Sequence, residues 1–183
     1  MITIRLAERE DIPAVVAISN WAALNTLANF ATEPEPEGQW LATWEATRAQ
    51  HPWLVAVERE RVVGFAKSGP HRARGAYAWT ADVSVYVDPS AHRRGIGAAL
   101  YDRFIPVLRA QGYALLLAGI TQPNPASVRL HERVGFVRCG TFHRVGWKLG
   151  GWHDVGYWEN HLVAASDGEA PRPVRPVADV WRS

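Results

Sequence analysis

The sequence predicts one α/β domain, a single mixed, largely antiparallel sheet flanked by helices. Three observations carry that expectation. The chain opens on a period-2 run, with Ile2, Ile4 and Leu6 between polar residues, the pattern of a half-buried strand. Two apolar runs, WLVAVE from Trp53 and VVGFAKS from Val62, stand either side of the charged Arg59-Glu60-Arg61 and read as a hairpin. A β-prone run ending at Val87, a glycine-containing loop, a helical segment and the strand-like YALLLAGI then follow in the order of a βαβ unit, whose strands are parallel and whose crossover is right-handed. A length of 183 residues suits one domain with a short tail, and 48% apolar against 21% charged residues supplies a core.

Between these landmarks the elements follow in order. Ile12, Val15 and Val16 fall at helical spacing behind acidic residues, which favour a helix N-terminus, and this helix should run to about Leu24. TEPEP from Thr32 breaks the chain, and Trp40, Leu41 and Trp44 mark a second, short helix. After the hairpin, a loop rich in arginine and glycine, Gly69 to Gly75, leads into a long strand from Ala76 to Val87. The helix after AHRRGIG presents Leu100, Phe104, Val107 and Leu108 on one face, and Pro106 should kink it. A further helix is expected from about Pro125 to Val134, then β-prone runs from Phe136 and Gly151. From residue 164 the proline-rich tail should be extended rather than packed, so the domain proper is 1–163.

Composition removes several classes of function. Lysine plus arginine number 20 against 18 acidic residues, too even a balance for a nucleic-acid-binding field. The single cysteine, Cys139, leaves no internal disulfide or thiol-rich metal site and suits a reducing, cytoplasmic setting. The longest apolar stretch, Tyr113 to Ile120, is far short of the ~20 residues that span a bilayer, and the N-terminus lacks a signal-peptide apolar region. His153 and Asp154 are adjacent, so on a strand they point to opposite faces and recruit no third ligand; no metal is expected.

Two segments carry chemistry. Asp88 to Ala98, DPSAHRRGIGA, joins a β-rich run to a helix, and its glycines let backbone N–H groups approach an anion where the helix end adds partial positive charge. The same glycines fit a tight strand-to-helix turn, and the spacing is neither that of a P-loop nor that of a complete dinucleotide fingerprint. Asn124 to Phe136, NPASVRLHERVGF, reads first as a well-punctuated helix, with Asn124 as cap, Pro125 in the first turn and Gly135 as stop.

In combination and in this order, the two segments resemble the GCN5-related N-acetyltransferase (GNAT) superfamily, which acetylates amines with acetyl-CoA. The chain is more narrowly similar to the phosphinothricin and methionine sulfoximine acetyltransferase branch, through TLANFATEP from Thr26, HPWLVAV from His51, GPHRARGAYAWT from Gly69, SVYV from Ser84, GGWHDVGYW from Gly150 and the tail PRPVRPV.

The resemblance implies a pantetheine arm hydrogen-bonded to the backbone at Val85 and Val87, and a pyrophosphate held by the backbone of Arg93, Arg94, Gly95, Ile96, Gly97 and Ala98. His92 stands where the family usually has Gln or Arg, which weakens a side-chain contribution but not the backbone cradle. Asn124 and Ser127 would touch the cofactor arm or else only cap a helix. Asp82 matches the branch's glutamate base; one methylene shorter, it would work through water, unless it only makes a structural hydrogen bond. His131 stands where many members place a tyrosine that protonates the departing thiolate, although a histidine on a helix face also packs structurally. Tyr86 would polarise the thioester oxygen or simply fill the sheet.

Arg72 and Arg74, flanking Ala73, suit a carboxylate or phosphinate, or else are solvated loop charges; Phe30 and Tyr77 would wall the acceptor pocket. The tryptophans, Trp79, Trp152 and Trp158 among them, suit a core and a subunit interface, and the resemblance implies a homodimer. The expected activity is therefore acetyl-CoA-dependent N-acetylation of a small L-amino acid. The rivals are acetylation of another amine or a protein N-terminus, and a non-catalytic acyl-CoA sensor.

Overall fold

The computed structural model describes residues 1–163, 168 and 170–182. Seven strands form one sheet: β1 (Ile2–Leu6), β2 (Trp53–Glu58), β3 (Arg61–Pro70), β4 (Thr80–Val87), β5 (Leu115–Thr121), β6 (Val137–Lys148) and β7 (Gly151–His161), in the spatial order β1-β2-β3-β4-β5-β7-β6. Every neighbouring pair is antiparallel except β4 and β5, the two strands of the expected βαβ unit. The helices are α1 (Ile12–Asn25), α2 (Glu37–Thr47), α3 (Ile96–Gln111) and α4 (Pro125–Arg133).

Strand alternation distributes the core over both faces. Trp53 and Val55 of β2 face α1 and α2, in a cluster with Ile12, Val15, Trp40, Trp44 and Phe65. Leu54 and Ala56 face α3, among Leu100, Tyr101, Phe104 and Leu108. Gly64 decides how closely α3 approaches: a Cβ there would stand 3.0 Å from the Tyr86 carbonyl oxygen and 3.2 Å from Ile96 Cγ2. The missing side chain thus seats the first turn of α3 against the sheet.

Three expectations need correction. β4 starts at Thr80 rather than Ala76, because Gly75–Tyr77 forms a tight helical turn and the β3 ladder ends at Pro70–Ala81, leaving earlier residues no partner on that side. β5 begins at Leu115, two residues inside the predicted run. The tail is extended over residues 170–176 but is packed: the Val177 N–H bonds Ala49 O, the Arg175 N–H bonds Gln111 O, Trp79 Nε1 donates to Arg172 O, and Val177 is buried. Proline fixes the extended shape and leaves carbonyls free, and polar side chains of the domain collect them. The start of the predicted tail, 164–167 and 169, lies outside the described residues.

Candidate active site

β4 and β5 pair only from Thr80–Leu115 to Asp82–Leu117 and then splay. The Asp88 N–H bonds Val63 O on β3. By alternation the peptide groups of Val83, Val85 and Val87 therefore face away from β3, into the gap. That gap is part of a cleft of about 970 Å³ lined by Val83–Val87, by Gly119–Thr121 of β5, by the α3 N-terminus and by α4. Val85, Tyr86, Val87, Arg93, Gly95, Ile96, Gly97, Ala98, Asn124, Ser127 and His131 all line it; of the cofactor residues expected from sequence, only Arg94 does not.

The α3 N-terminus closes one end. Gly95 takes φ +77 and Arg93 φ +60, turning successive peptides toward the cleft. Among the described hydrogen bonds none uses the N–H groups of Arg93 to Ala98, so these donors and the helix dipole converge on one place, the arrangement that accepts a phosphate group. The Arg94 side chain turns outward into a bidentate pair with Glu58 at 2.5 and 2.9 Å; only its backbone belongs to the cradle. His92 Nε2 lies 2.9 Å from Val87 O, which ties the loop to the end of β4.

Across the cleft, Asn124 lines the cavity and its Oδ1 accepts the Ser127 N–H at 3.1 Å, the helix-cap role. His131 is 4% exposed. Its Nδ1 meets Ser127 O at 2.8 Å and its Nε2 meets the Tyr101 hydroxyl at 2.8 Å. A carbonyl can only accept, so the proton sits on Nδ1 and Tyr101 donates to Nε2. Burial lowers the imidazole pKa and the Ser127 carbonyl only partly opposes this, so the ring is neutral near pH 7 with both nitrogens engaged.

The other face of β4 carries Asp82, Ser84 and Tyr86. Ser84 and Tyr86 line both the cleft and a second cavity of about 240 Å³ bounded by Glu35, Trp40, Trp53 and Lys67. Tyr86 stacks on Phe65 with centroids 5.3 Å apart, and its hydroxyl reaches Ala28 O at 3.3 Å. Burial first, and then the Glu35 charge, push the phenol up to about 12, so it keeps its proton. The Lys67 ammonium lies 4.4 Å and 5.0 Å from the ring centres of Trp40 and Trp53, and desolvation lowers its pKa while Glu35 opposes the shift. Sequence reasoning passed over Lys67; its place in an otherwise apolar strand run was the available signal.

Of the predicted acceptor residues, Arg72, Ala73, Arg74, Tyr77 and Asp82 lie together around the loop after β3, and Phe30 lies apart. Asp82 is the last β4 residue paired with β5 and lines neither cavity; it stands about 7 Å along the strand from Ser84. Its Oδ1 meets Nδ1 of His71 at 2.9 Å. The Arg72 guanidinium lies 6.0 Å from the centre of the Tyr77 ring, and that ring stands edge-on to His71. Arg74 precedes the Gly75–Tyr77 turn and, like Ala73, is exposed. Phe30 packs on Gly146 of β6, where a Cβ would lie 2.2 Å from its ring, and lines neither cavity. His71 was not singled out from sequence, although it stands inside the quoted run from Gly69. No group of acidic, histidine and cysteine side chains suited to a metal occurs among the described residues.

A strand pair that splays around a cleft, with a glycine-turned helix N-terminus at one end, defines an acyl-CoA-dependent transferase fold. The chain belongs to the acetyltransferase (GNAT) family, whose model matches residues 15–136, and it is an N-acetyltransferase. A phosphinothricin N-acetyltransferase from Streptomyces viridochromogenes is 40% identical over 179 residues, covering 98% of this chain and 96% of that protein. An L-methionine sulfoximine/L-methionine sulfone acetyltransferase from Salmonella typhimurium is 35% identical, covering 87% of this chain and 94% of that protein. The solved structure of yncA from Salmonella typhimurium with its cofactor acetyl-CoA superposes with a TM-score of 0.87 at 34% identity, covering 93% of this chain and 98% of that one.

Proposed function

We propose that this enzyme moves the acetyl group of acetyl-CoA to the α-amino group of a small L-amino acid of the phosphinothricin or methionine sulfoximine and sulfone type. One observation carries the reading: β4 turns its Val85 and Val87 peptide edge into the large cleft while Ser84 and Tyr86, on the same strand, reach the smaller cavity. A cofactor arm and an acceptor can thereby meet at one backbone segment. The names of the relatives supply the acceptor class.

Acetyl-CoA supplies an activated thioester: a C–N bond forms, the C–S bond breaks, and CoA leaves as the thiol. The unpaired N–H groups of residues 93–98 hold the diphosphate, and the Val85 and Val87 peptides fix the arm as an added strand would. The Tyr86 hydroxyl, protonated throughout the working pH range, donates toward the charge that develops on the acyl oxygen. Arg72 and Arg74 take the acceptor's acidic groups, with Tyr77 beside them. An α-amine must lose a proton to attack, and Asp82 draws that proton through water. His131, neutral and bonded on both sides, shapes the wall of the cleft in this reading.

The exposed Phe142, Val145, Trp147, Leu149 and Trp152 on the β6–β7 hairpin suit a second copy of the chain. Sedimentation velocity should give a dimer that Trp147→Asp converts to monomer. The exposed Cys139 thiol fits the reducing cytoplasm, where acetyl-CoA is made available.

Thiol release from acetyl-CoA tests the activity, with phosphinothricin, methionine sulfoximine, methionine sulfone, ordinary amino acids and a short peptide as acceptors. Release with the glutamate analogues is expected. Release with the peptide alone moves the acceptor assignment to protein N-termini.

A further inference from the structure

The cluster beside β4 holds a side chain to which the acceptor reading gives no role. His71 follows the last residue of β3, and its side chain is 21% exposed against 53% for its partner Asp82. Nδ1 lies 2.9 Å from Asp82 Oδ1, and Nε2 lies 3.4 Å from Nε of Arg72. A guanidinium can only donate, so the lone pair belongs to Nε2 and the ring proton to Nδ1, which donates to Asp82.

We propose that the base of this enzyme is the His71–Asp82 pair, with His71 Nε2 taking the proton of the acceptor amine and Asp82 acting as the positioning residue. The proposal rests on the acetyl-transfer reading and moves its base from Asp82 to His71. The bond from Nδ1 fixes the tautomer and the ring plane and leaves the Nε2 lone pair to accept a proton, the logic of a base held by a carboxylate.

The Arg72 contact supplies the link to substrate. An α-amino acid carries its amine and carboxylate on one carbon, so a carboxylate on Arg72 brings the ammonium beside Nε2 and offsets the guanidinium charge there. The proton balance is complete. The ammonium gives one proton to Nε2, the neutral amine attacks the thioester, the second nitrogen proton passes to the departing thiolate, and His71 returns its proton to solvent. Other charged groups on this face stand further off. Glu159 lies two strands away in the same register row, across Leu117, and pairs with His161 at 3.3 Å; Lys67 stands over the two indoles; Arg74 lies in the loop.

The test is the pH profile of kcat/KM for phosphinothricin and acetyl-CoA in the wild type, His71→Gln, His71→Ala, Asp82→Asn and Asp82→Ala, each shown folded by its melting curve. His71→Gln and His71→Ala should lower kcat/KM for the acceptor on the order of 10²-fold and remove the acid limb in the imidazole range, with KM for acetyl-CoA unchanged. Added imidazole should restore His71→Ala. Asp82→Asn, which keeps an oxygen to accept from Nδ1, should lose less than His71→Gln. A wild-type profile in both His71 variants while Asp82→Ala loses activity overturns the proposal and leaves Asp82 as the base. Full activity in the Asp82 and His71 variants alike overturns the base assignment itself, and a wild type inactive on every acceptor overturns the acetyl-transfer reading.

Discussion

The Tyr101 hydroxyl donates to Nε2 of His131 at 2.8 Å, joining α3 to α4 across the floor of the cofactor cleft. Tyr101 is fully buried, and its ring packs against His131 and Phe136 with centroids 5.3 Å and 5.9 Å away. The bond ties the helix whose N-terminus closes one end of the cleft to the helix that forms the opposite wall.

Tyr101→Phe removes the donor and leaves a buried ring nitrogen without a partner. The expected loss is about 1–3 kcal/mol, read as a lower urea midpoint with an unchanged slope. Activity per folded molecule should fall much less than stability, because the phenol sits behind the imidazole rather than at the thioester.

Acid should destabilise the fold through its buried imidazoles. Burial lowers the pKa of both His131 and His51. In the window between the lowered folded value and the ordinary imidazole value the unfolded chain binds more protons, so stability rises with pH through that window, is lost on acidification across it and levels off below it. Melting temperatures recorded down from pH 7 should show the decline, and His51→Gln should make it shallower.

Tyr86→Phe keeps the stacking on Phe65 and deletes the donor between the two cavities. The expected result is a fall in kcat of about 10²-fold with KM for acetyl-CoA little changed, measured by steady-state kinetics. An equal rise in KM with kcat intact would instead assign the hydroxyl to ground-state binding.

Val177→Ala tests whether the tail belongs to the domain. Val177 is 4% exposed, and its N–H bonds Ala49 O. Losing two buried carbons should cost roughly 2 kcal/mol by the value for each buried CH2, detectable as a lower melting temperature. A tail that merely trails along the surface would leave the melting temperature where it was.

The turn and cap residues of the large cleft were legible because turn and capping chemistry acts on contiguous residues. The glycine loop from Asp88 to Ala98, the cap at Asn124 and the stop at Gly135 announce themselves by residue type and spacing, and the structure sets the first two along one cleft. The cluster around Asp82 was less legible, because its members meet across strands. His71 and Asp82 are eleven positions apart, and only the β3–β4 register, Gly69 opposite Asp82, brings them within a hydrogen bond. Lys67, Glu35, Trp40 and Trp53 come from four different elements and connecting segments, so no local pattern marks the cavity they share.

His131 shows how one residue can be found and its state missed. The motif pointed to it, but its neutrality follows from burial, and its tautomer from the Ser127 carbonyl and from Tyr101 on another helix. The tail errs in the same direction: its prolines prescribe an extended chain, and whether that chain packs is decided by Gln111, Trp79 and Ala49, far off in sequence.

By itself the sequence determined the alternation of strands and helices, the parallel βαβ unit, and the glycine turn that opens α3, because periodicity, capping and glycine geometry act over a few neighbouring residues. The tertiary structure alone decided where β4 and β5 part, which side chains are neutral, and which carboxylate holds which imidazole, because register, burial and charge proximity depend on residues that only folding brings together.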